Sequence, residues 1–294
     1  MRAPKRKSRS ARPSRTDALA DFCAPGSASF DRTVPLPSGV ALRIVTFMPR
    51  AARQPVPIVL VPGLVSVIPT FRNLLVELTS DFVIHYVETR EKSSSVVRAR
   101  TDYGVGAIGS DIVEAVRHLG MEDGKYVLFG ASLSATAMID RYGDLRPPPL
   151  CLILLEPNAV FDYPLWSLPV IRHGAPFFRY LRPVAKWYLR TFRVNTAEDY
   201  EMYRINCRAL DAADPYKLRD TVLAISSYRI WDRLEAVEAP ALVVSASKDT
   251  FHRHQDIERI IATIRRSTPC DLESHARIHS PELVDRVREY VRSL

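Results

Sequence analysis

Short apolar runs alternate with segments of helical spacing along most of the chain. The apolar runs are six to eight residues long, carry few polar side chains and predict buried strands. Apolar residues at helical spacing predict helices between them. This alternation predicts an α/β fold in which helices cover both faces of a mostly parallel sheet. The predicted strands lie at 40–47, 56–63, 82–88, 125–130, 150–157 and 241–247, with a shorter one near 270–272, and the predicted helices at 70–78, 104–120, 134–143, 256–264 and 281–294.

One long segment interrupts this alternation. Residues 158–230 are rich in proline and aromatic residues and contain no clear strand. We interpret them as a helical cap inserted after the sixth strand, and we call them the cap. The chain then divides into a basic tail at 1–28, a first part of the core at 29–157, the cap, and a second part of the core at 231–294.

Positive charge is concentrated at the start of the chain. The formal net charge is +8, but residues 1–16 hold seven Lys or Arg and no acidic residue, which leaves a charge near +1 for the rest. We therefore expect a disordered tail that can touch an anionic membrane, and no nucleic-acid partner. No apolar segment typical of a secretory signal is present, and the four cysteines form no paired motif. These features predict a reducing, cytoplasmic location without disulfides or zinc.

Residues with catalytic chemistry follow several predicted strands. Ser132, Glu156 and Asp249 come at the ends of apolar runs, and His275 follows the short run near 270–272. Because the carboxyl ends of parallel strands meet at one edge of a sheet, we expect these side chains to lie close together. A histidine that accepts the serine proton, and is itself oriented by a carboxylate, makes the hydroxyl nucleophilic.

Three segments, in this order, resemble the α/β-hydrolase superfamily. The sequence "GASLS" at 130–134 lies between a predicted strand and a predicted helix and resembles the nucleophile elbow G-x-S-x-G. The segment "APALVVSASKDT" at 239–250 is similar to the strand and turn that carry the acid, and "SHARIHSPELV" at 274–284 to the segment that carries the histidine. The resemblance implies an α/β-hydrolase fold.

The resemblance also implies the roles of individual residues. Ser132 is the expected nucleophile, His275 the base and Asp249 the acid that orients it. The backbone N–H groups of Leu64 and Leu133 are the expected oxyanion hole, which binds the negatively charged oxygen of the reacting carbonyl.

Two alternatives and one departure from the family pattern stay open. Glu156 also ends a strand and could orient the histidine in place of Asp249. His279 is the alternative to His275, although we interpret it as a packing or capping residue near a helix start. Ser134 stands where the pattern has glycine, and since serine is also small we expect Ser134→Gly to keep activity.

The cap is expected to select the substrate. Nine aromatic residues lie between positions 161 and 192, interleaved with Arg and Lys. In one interpretation they line a pocket over Ser132; in the other they form an amphipathic patch on an anionic membrane. The aromatic residues expected to contact substrate are Phe161, Trp166, Phe177, Phe178 and Trp187.

These features together predict a serine esterase or lipase-like enzyme. Its expected substrate is a small-molecule carboxylic ester or thioester with a hydrophobic, including lipid, acyl group. An acyltransferase that uses the same triad and a catalytically silent lipid-binding protein are the alternatives. No phosphate loop or dinucleotide motif is present, so no cofactor is expected.

Overall fold

The computed structural model describes residues 17–98, 101–121, 123–163, 166–193, 200–248 and 253–294. Its strands form one sheet, and most of them coincide with the apolar runs that predicted them. The strands are β1 (Ala28–Pro35), β2 (Val40–Met48), β3 (Ile58–Val61), β4 (Ile84–Val87), β5 (Val96–Val97), β6 (Val127–Ala131), β7 (Cys151–Leu155), β8 (Ala241–Ser245) and β9 (Ser267–Asp271).

The sheet is mostly parallel, as predicted. Its strand order is β1-β2-β4-β3-β6-β7-β8-β9, with the short β5 paired to β2. Along this order, every neighbouring pair from β4 through β3, β6, β7 and β8 to β9 is parallel. Strand β2 runs antiparallel to β1, β4 and β5. The α/β class is therefore confirmed. The cap follows β7, which is the sixth strand when the two-residue β5 is left out.

Helices cover both faces of this sheet. Alternate residues of each central strand belong to opposite apolar clusters: Val59 of β3 packs with α2 and α3, and Leu60 packs with α1 and α10. This arrangement explains why the strands read as unbroken apolar runs. The helices are α1 (Arg72–Leu78), α2 (Val105–His118), α3 (Leu133–Asp140), α4 (Ser167–Gly174), α5 (Phe178–Tyr188), α6 (Tyr200–Ala212), α7 (Pro215–Ile225), α8 (His254–Thr263), α9 (His275–Ile278) and α10 (Pro281–Arg292).

The start of the described chain differs from the predicted tail. The tail was expected to extend to residue 28, but residues 17–22 form a 3₁₀ turn in which Leu19 is buried, and Cys23 is buried just after it. Both pack with the cluster under α1. The N–H of Ala24 donates to Thr79 Oγ1 at 2.8 Å. Residues 1–16, which carry the basic charge, lie outside the described residues.

The carboxyl ends of the parallel strands share an unusual backbone conformation. Among the described residues, four that are not glycine have positive φ: Val65 (57°), Ser132 (50°), Glu156 (47°) and Glu273 (62°). They follow β3, β6, β7 and β9, so all four lie at one edge of the sheet. Side chains rarely adopt this conformation, and such residues concentrate at functional sites.

Candidate active site

Ser132 stands on a sharp turn between β6 and α3. Its φ and ψ of 50° and −116° bring the chain directly from the strand into the helix. A Cβ at Gly130 would lie 2.5 Å from Met138 Sδ and 2.8 Å from the Ala135 Cα, so only glycine fits there without movement. The turn has the conformation that the sequence "GASLS" predicted.

Asn158 holds the Ser132 hydroxyl. Ser132 Oγ donates to Asn158 Oδ1 at 2.6 Å. Asn158 is fixed in turn by Thr136, because its N–H donates to Thr136 Oγ1 at 3.0 Å and its carbonyl accepts from the same hydroxyl at 2.7 Å. Sequence reasoning missed Asn158, although it lies only three residues beyond β7. A search of strand ends for amides as well as acids would have found it.

A loop after β3 packs against the serine turn. We call residues 62–65 the β3 loop. A Cβ at Gly63 would lie 3.1 Å from Ala131 O and 3.2 Å from Ser132 Cβ, so glycine allows the loop this close approach. In the part of the chain that the structure describes, the Leu64 N–H makes no hydrogen bond. Leu133 is the first residue of α3, so its N–H has no acceptor within the helix.

Two side chains hold consecutive carbonyls of the β3 loop. Ser134 Oγ donates to Pro62 O at 2.6 Å, and the Lys92 ammonium donates to Gly63 O. Ser134 and Lys92 are both buried. The hydroxyl at position 134 therefore makes a specific bond, which changes our expectation that glycine would serve there equally well.

Two histidines share a cavity with Ser132. His275 is the first residue of α9, just beyond β9, and lines the same cavity as Ser132. The ring of His279 packs on that of His275, with centroids 4.6 Å apart, and on Phe71 at 5.4 Å. Burial, and secondarily the neighbouring His275, lower the pKa of His279 well below its ordinary value. His279 is therefore neutral at pH 7, and its Nδ1 has no hydrogen-bond partner among the described residues.

The acid of the predicted triad is not placed. Asp249 lies outside the described residues. Glu156 follows β7 directly, is buried and lines the cavity. Its N–H donates to Val244 O at 2.8 Å, which fixes its backbone at the sheet edge. Both candidates for the acid thus stay open.

The cavity over Ser132 has a volume of about 410 Å³. The sheet edge contributes Ser132, Leu133, Leu64 and both histidines. Its cap wall comes mainly from the segment that follows β7 and from α6, and it combines aliphatic, aromatic and polar side chains. The cap residues that line it include Val160, Phe161, Leu189, Ile205, Ala209 and Leu210.

The predicted substrate-contacting aromatics have different positions. Phe161 lines the cavity, whereas Phe178 lies outside it with the Arg182 guanidinium 5.2 Å from its ring centre. Trp166, Phe177 and Trp187 are 68%, 61% and 58% exposed. Phe177, Tyr180 and Trp187 share one face by their helical spacing, and that face is exposed to solvent.

The described residues include neither a metal-binding cluster nor a membrane-spanning helix. They contain no group of three or more His, Cys, Asp or Glu that could hold a metal ion. None of their helices is long and apolar enough to cross a bilayer.

Solved structures with a similar fold include several enzymes. A thermophilic esterase from Thermogutta terrifontis has a TM-score of 0.70 at 20% identity, covering 90% of this chain and 98% of that one. An esterase from Exiguobacterium antarcticum has a TM-score of 0.71 at 14% identity, covering 90% and 100%. A bromoperoxidase from Bacillus anthracis has a TM-score of 0.71 at 12% identity, with the same coverage of 90% and 100%.

At these identities the similarity shows the fold alone and does not identify the reaction. Neither a protein-family model nor a curated protein matches the chain. The sheet order, the turn at Ser132 and these neighbours agree with one another. The chain has the α/β-hydrolase fold, which confirms the resemblance drawn from its three sequence motifs.

Proposed function

We propose that the chain is a serine hydrolase that cleaves a carboxylic ester or thioester with a hydrophobic acyl group. One observation carries this proposal: Ser132 stands on a strained turn beside the N–H groups of Leu64 and Leu133 and shares a cavity with His275. A nucleophile, a base and two donors suited to an oxyanion are therefore grouped in one place. The two esterases of similar fold support the same class of reaction.

The reaction proceeds in two halves. Ser132 Oγ attacks the substrate carbonyl carbon while its proton passes to His275, and the carbonyl oxygen becomes an oxyanion held by the Leu64 and Leu133 N–H groups. The oxyanion collapses, the bond to the alcohol or thiol breaks, and His275 returns the proton to that leaving group. Water then attacks the acyl-serine, His275 accepts its proton and returns it to Ser132, and the carboxylic acid leaves.

The cavity favours an apolar acyl group of limited size. Its volume of about 410 Å³ is near the small end of the range for ligand pockets. Aliphatic residues such as Ile205 and Leu210 form part of its cap wall and offer apolar contact, beside the carboxylate of Asp162. We therefore expect activity to rise and then fall as the acyl chain of a p-nitrophenyl ester is lengthened.

A fluorophosphonate probe tests the nucleophile, because it reacts only with an activated serine. We expect the wild type to label and Ser132→Ala not to label. The variants Asp249→Asn and Glu156→Gln then identify the acid. Substitution of the residue that orients His275 should lower kcat strongly, and substitution of the other should leave kcat close to wild type. A wild type that stays unlabelled, or a Ser132→Ala variant that labels, contradicts the proposal. Alcohol acceptors added to the assay separate hydrolysis from acyl transfer.

An exposed face of the cap supports substrate delivery from an anionic membrane. Phe177, Tyr180, Val184 and Trp187 recur at helical spacing in and before α5, and all are more than half exposed. Residues 166–193 also carry six Lys or Arg and no acidic residue. Aromatic side chains beside cations are typical of helices that lie in the interface of an anionic bilayer.

Liposome co-sedimentation tests this contact. We expect binding to vesicles that contain an anionic phospholipid, weaker binding to purely zwitterionic vesicles, and loss of binding as salt is raised. The double variant Phe177→Ser/Trp187→Ser should lower binding at least several-fold, whereas Tyr216→Ser, an exposed aromatic on α7, serves as the matched control. Equal binding by the double variant and the control would remove this face from the proposal.

A further inference from the structure

A strongly charged segment is buried behind the β3 loop. Residues 88–92 follow β4, and all five are buried although four of them are charged. Buried charges destabilise a protein unless each is paired, so their retention calls for a reason. Lys92 is 6% exposed, and its ammonium contacts Glu91 Oε1 at 2.8 Å and the carbonyl oxygen of Gly63.

The contact with Gly63 fixes the direction of the next N–H. The peptide bond is planar and trans, so the Leu64 N–H points opposite to the Gly63 carbonyl. Lys92 is buried and does not line the Ser132 cavity, whereas Gly63 and Leu64 both line it. The Leu64 N–H is thus held in place without an acceptor of its own in the described chain.

The positive charge has a second effect. An ammonium at the carbonyl end of a peptide polarises it, so the N–H at the other end becomes a stronger donor. Negative charge develops on the substrate oxygen only as the reaction proceeds, and the stronger donor therefore acts mainly on the transition state.

Packing alone does not hold the loop. Val65 borders the Ser132 cavity on one side and a second cavity of about 160 Å³ on the other, which Glu91 and Lys92 also line. Val65 is β-branched and has a φ of 57°, a conformation that such side chains rarely adopt and that needs support from its surroundings. Gly63 O also accepts from the Ser66 N–H at 3.1 Å, so loss of the Lys92 contact would leave this carbonyl only a neutral donor from its own loop, beside a cavity into which the loop can move.

We propose that Lys92 is a positioning residue, which orients and polarises the Gly63–Leu64 peptide so that the Leu64 N–H binds the oxyanion. This inference rests on the proposed hydrolase function. It assigns a role to a buried lysine that never touches the substrate.

The test replaces the ion pair as a unit, because Lys92→Met alone would leave the Glu91 carboxylate buried and unpaired. We expect Glu91→Gln/Lys92→Met to lower kcat about 10²- to 10³-fold, as loss of an oxyanion donor does, with KM changed less than about threefold. Glu91→Gln alone removes the counter-ion of Lys92 but keeps an oxygen that accepts from its ammonium, as well as the contact with Gly63, and should stay within a few-fold of wild type. Thermal unfolding of both variants shows whether they are folded.

A second measurement does not depend on activity. In protein labelled with ¹⁵N-leucine, the Leu64 amide resonance should shift in Glu91→Gln/Lys92→Met and stay close to wild type in Glu91→Gln. An unchanged kcat and an unmoved Leu64 resonance in the double variant would overturn the role of Lys92. Equal losses in both variants would overturn it too, since the ion pair would then be the cause. Failure of the hydrolase proposal is distinct, because the wild type itself would not label with fluorophosphonate.

Discussion

The Ser134 hydroxyl joins two segments that are far apart in the chain. It donates at 2.6 Å to Pro62 O, which is 72 residues away, and both atoms are buried. Ser134 and Lys92 thus bind consecutive carbonyls of the β3 loop, and each fixes one peptide plane. A glycine at position 134 would satisfy the turn but would leave Pro62 O without this donor.

Ser134→Ala tests this bond. We expect the free energy of unfolding to fall by about 1–3 kcal/mol, the cost of a buried acceptor left unpaired. We also expect kcat to fall, by up to about 10²-fold, because a loop displaced by about 1 Å misplaces the Leu64 N–H. Urea unfolding and ester kinetics measure the two effects.

The matched control is Ser110→Ala on α2. The Ser110 hydroxyl donates at 3.0 Å to Gly106 O within its own helix, so its removal should change neither quantity much. If Ser134→Ala behaves like Ser110→Ala, the bond to Pro62 has no role in placing the loop.

Residues close together in sequence were predictable, and those joined only by the fold were not. Ser132 and Gly130 belong to one short motif, and His275 to another, so the sequence predicted their placement at one edge. Asn158 was missed because an amide carries no charge that marks it as catalytic. The Lys92 contact with Gly63 spans 29 residues, and no spacing in the sequence indicates it.

At the scale of elements, the central strands were easy to predict and the edge was not. Strands such as β6 and β7 are buried on both faces, which makes them continuous apolar runs. The edge strand β1 is mostly exposed, with one buried residue among eight, so "ASFDRTVP" shows no apolar run. Its pairing with β2 over Ala28–Pro35 supplies the stabilisation that its own side chains do not.

The helices of the cap were harder still, because helical spacing indicates an apolar face but not what covers it. The stripe of aromatics in and before α5 was expected either to line a pocket or to form a patch on a membrane. Most of it is exposed, and α6 supplies Ile205 and Leu210 to the cavity. Another cap helix, α7, contacts the charged segment directly. Lys217 Nζ donates to Lys92 O at 2.8 Å and to Ser95 O at 2.6 Å.

For the whole molecule, a partly buried histidine links stability to pH. His85 lies on β4 with its Nδ1 3.0 Å from Thr46 Oγ1. Burial, with a smaller contribution from Arg32, lowers the pKa of His85 to about 4. The pKa in the unfolded chain is about 6.5. The unfolded chain therefore binds more protons between these values, and the neutral imidazole stabilises the fold fully above pH 6.5 and loses this contribution as the pH falls towards 4.

We expect the wild type to lose more unfolding free energy between pH 7 and pH 5 than His85→Gln does. The full contribution of His85 is at most about 3 kcal/mol, from the size of its pKa shift. Urea unfolding at both pH values measures the difference. His118→Gln, which removes an exposed histidine of α2, should lose as much as the wild type. Parallel losses in His85→Gln and wild type would show that His85 does not carry this pH dependence.

The four left-handed residues at the sheet edge have a consequence for protein engineering. Selection for heat resistance would favour substitutions at Val65, Ser132, Glu156 or Glu273 that relieve backbone strain. Among the described residues, these four have a positive φ without being glycine. Two of these positions hold the proposed nucleophile and a candidate for its supporting acid, and a third adjoins the Leu64 donor. Selection for melting temperature alone would thus raise the stability of the fold and abolish the proposed catalytic activity.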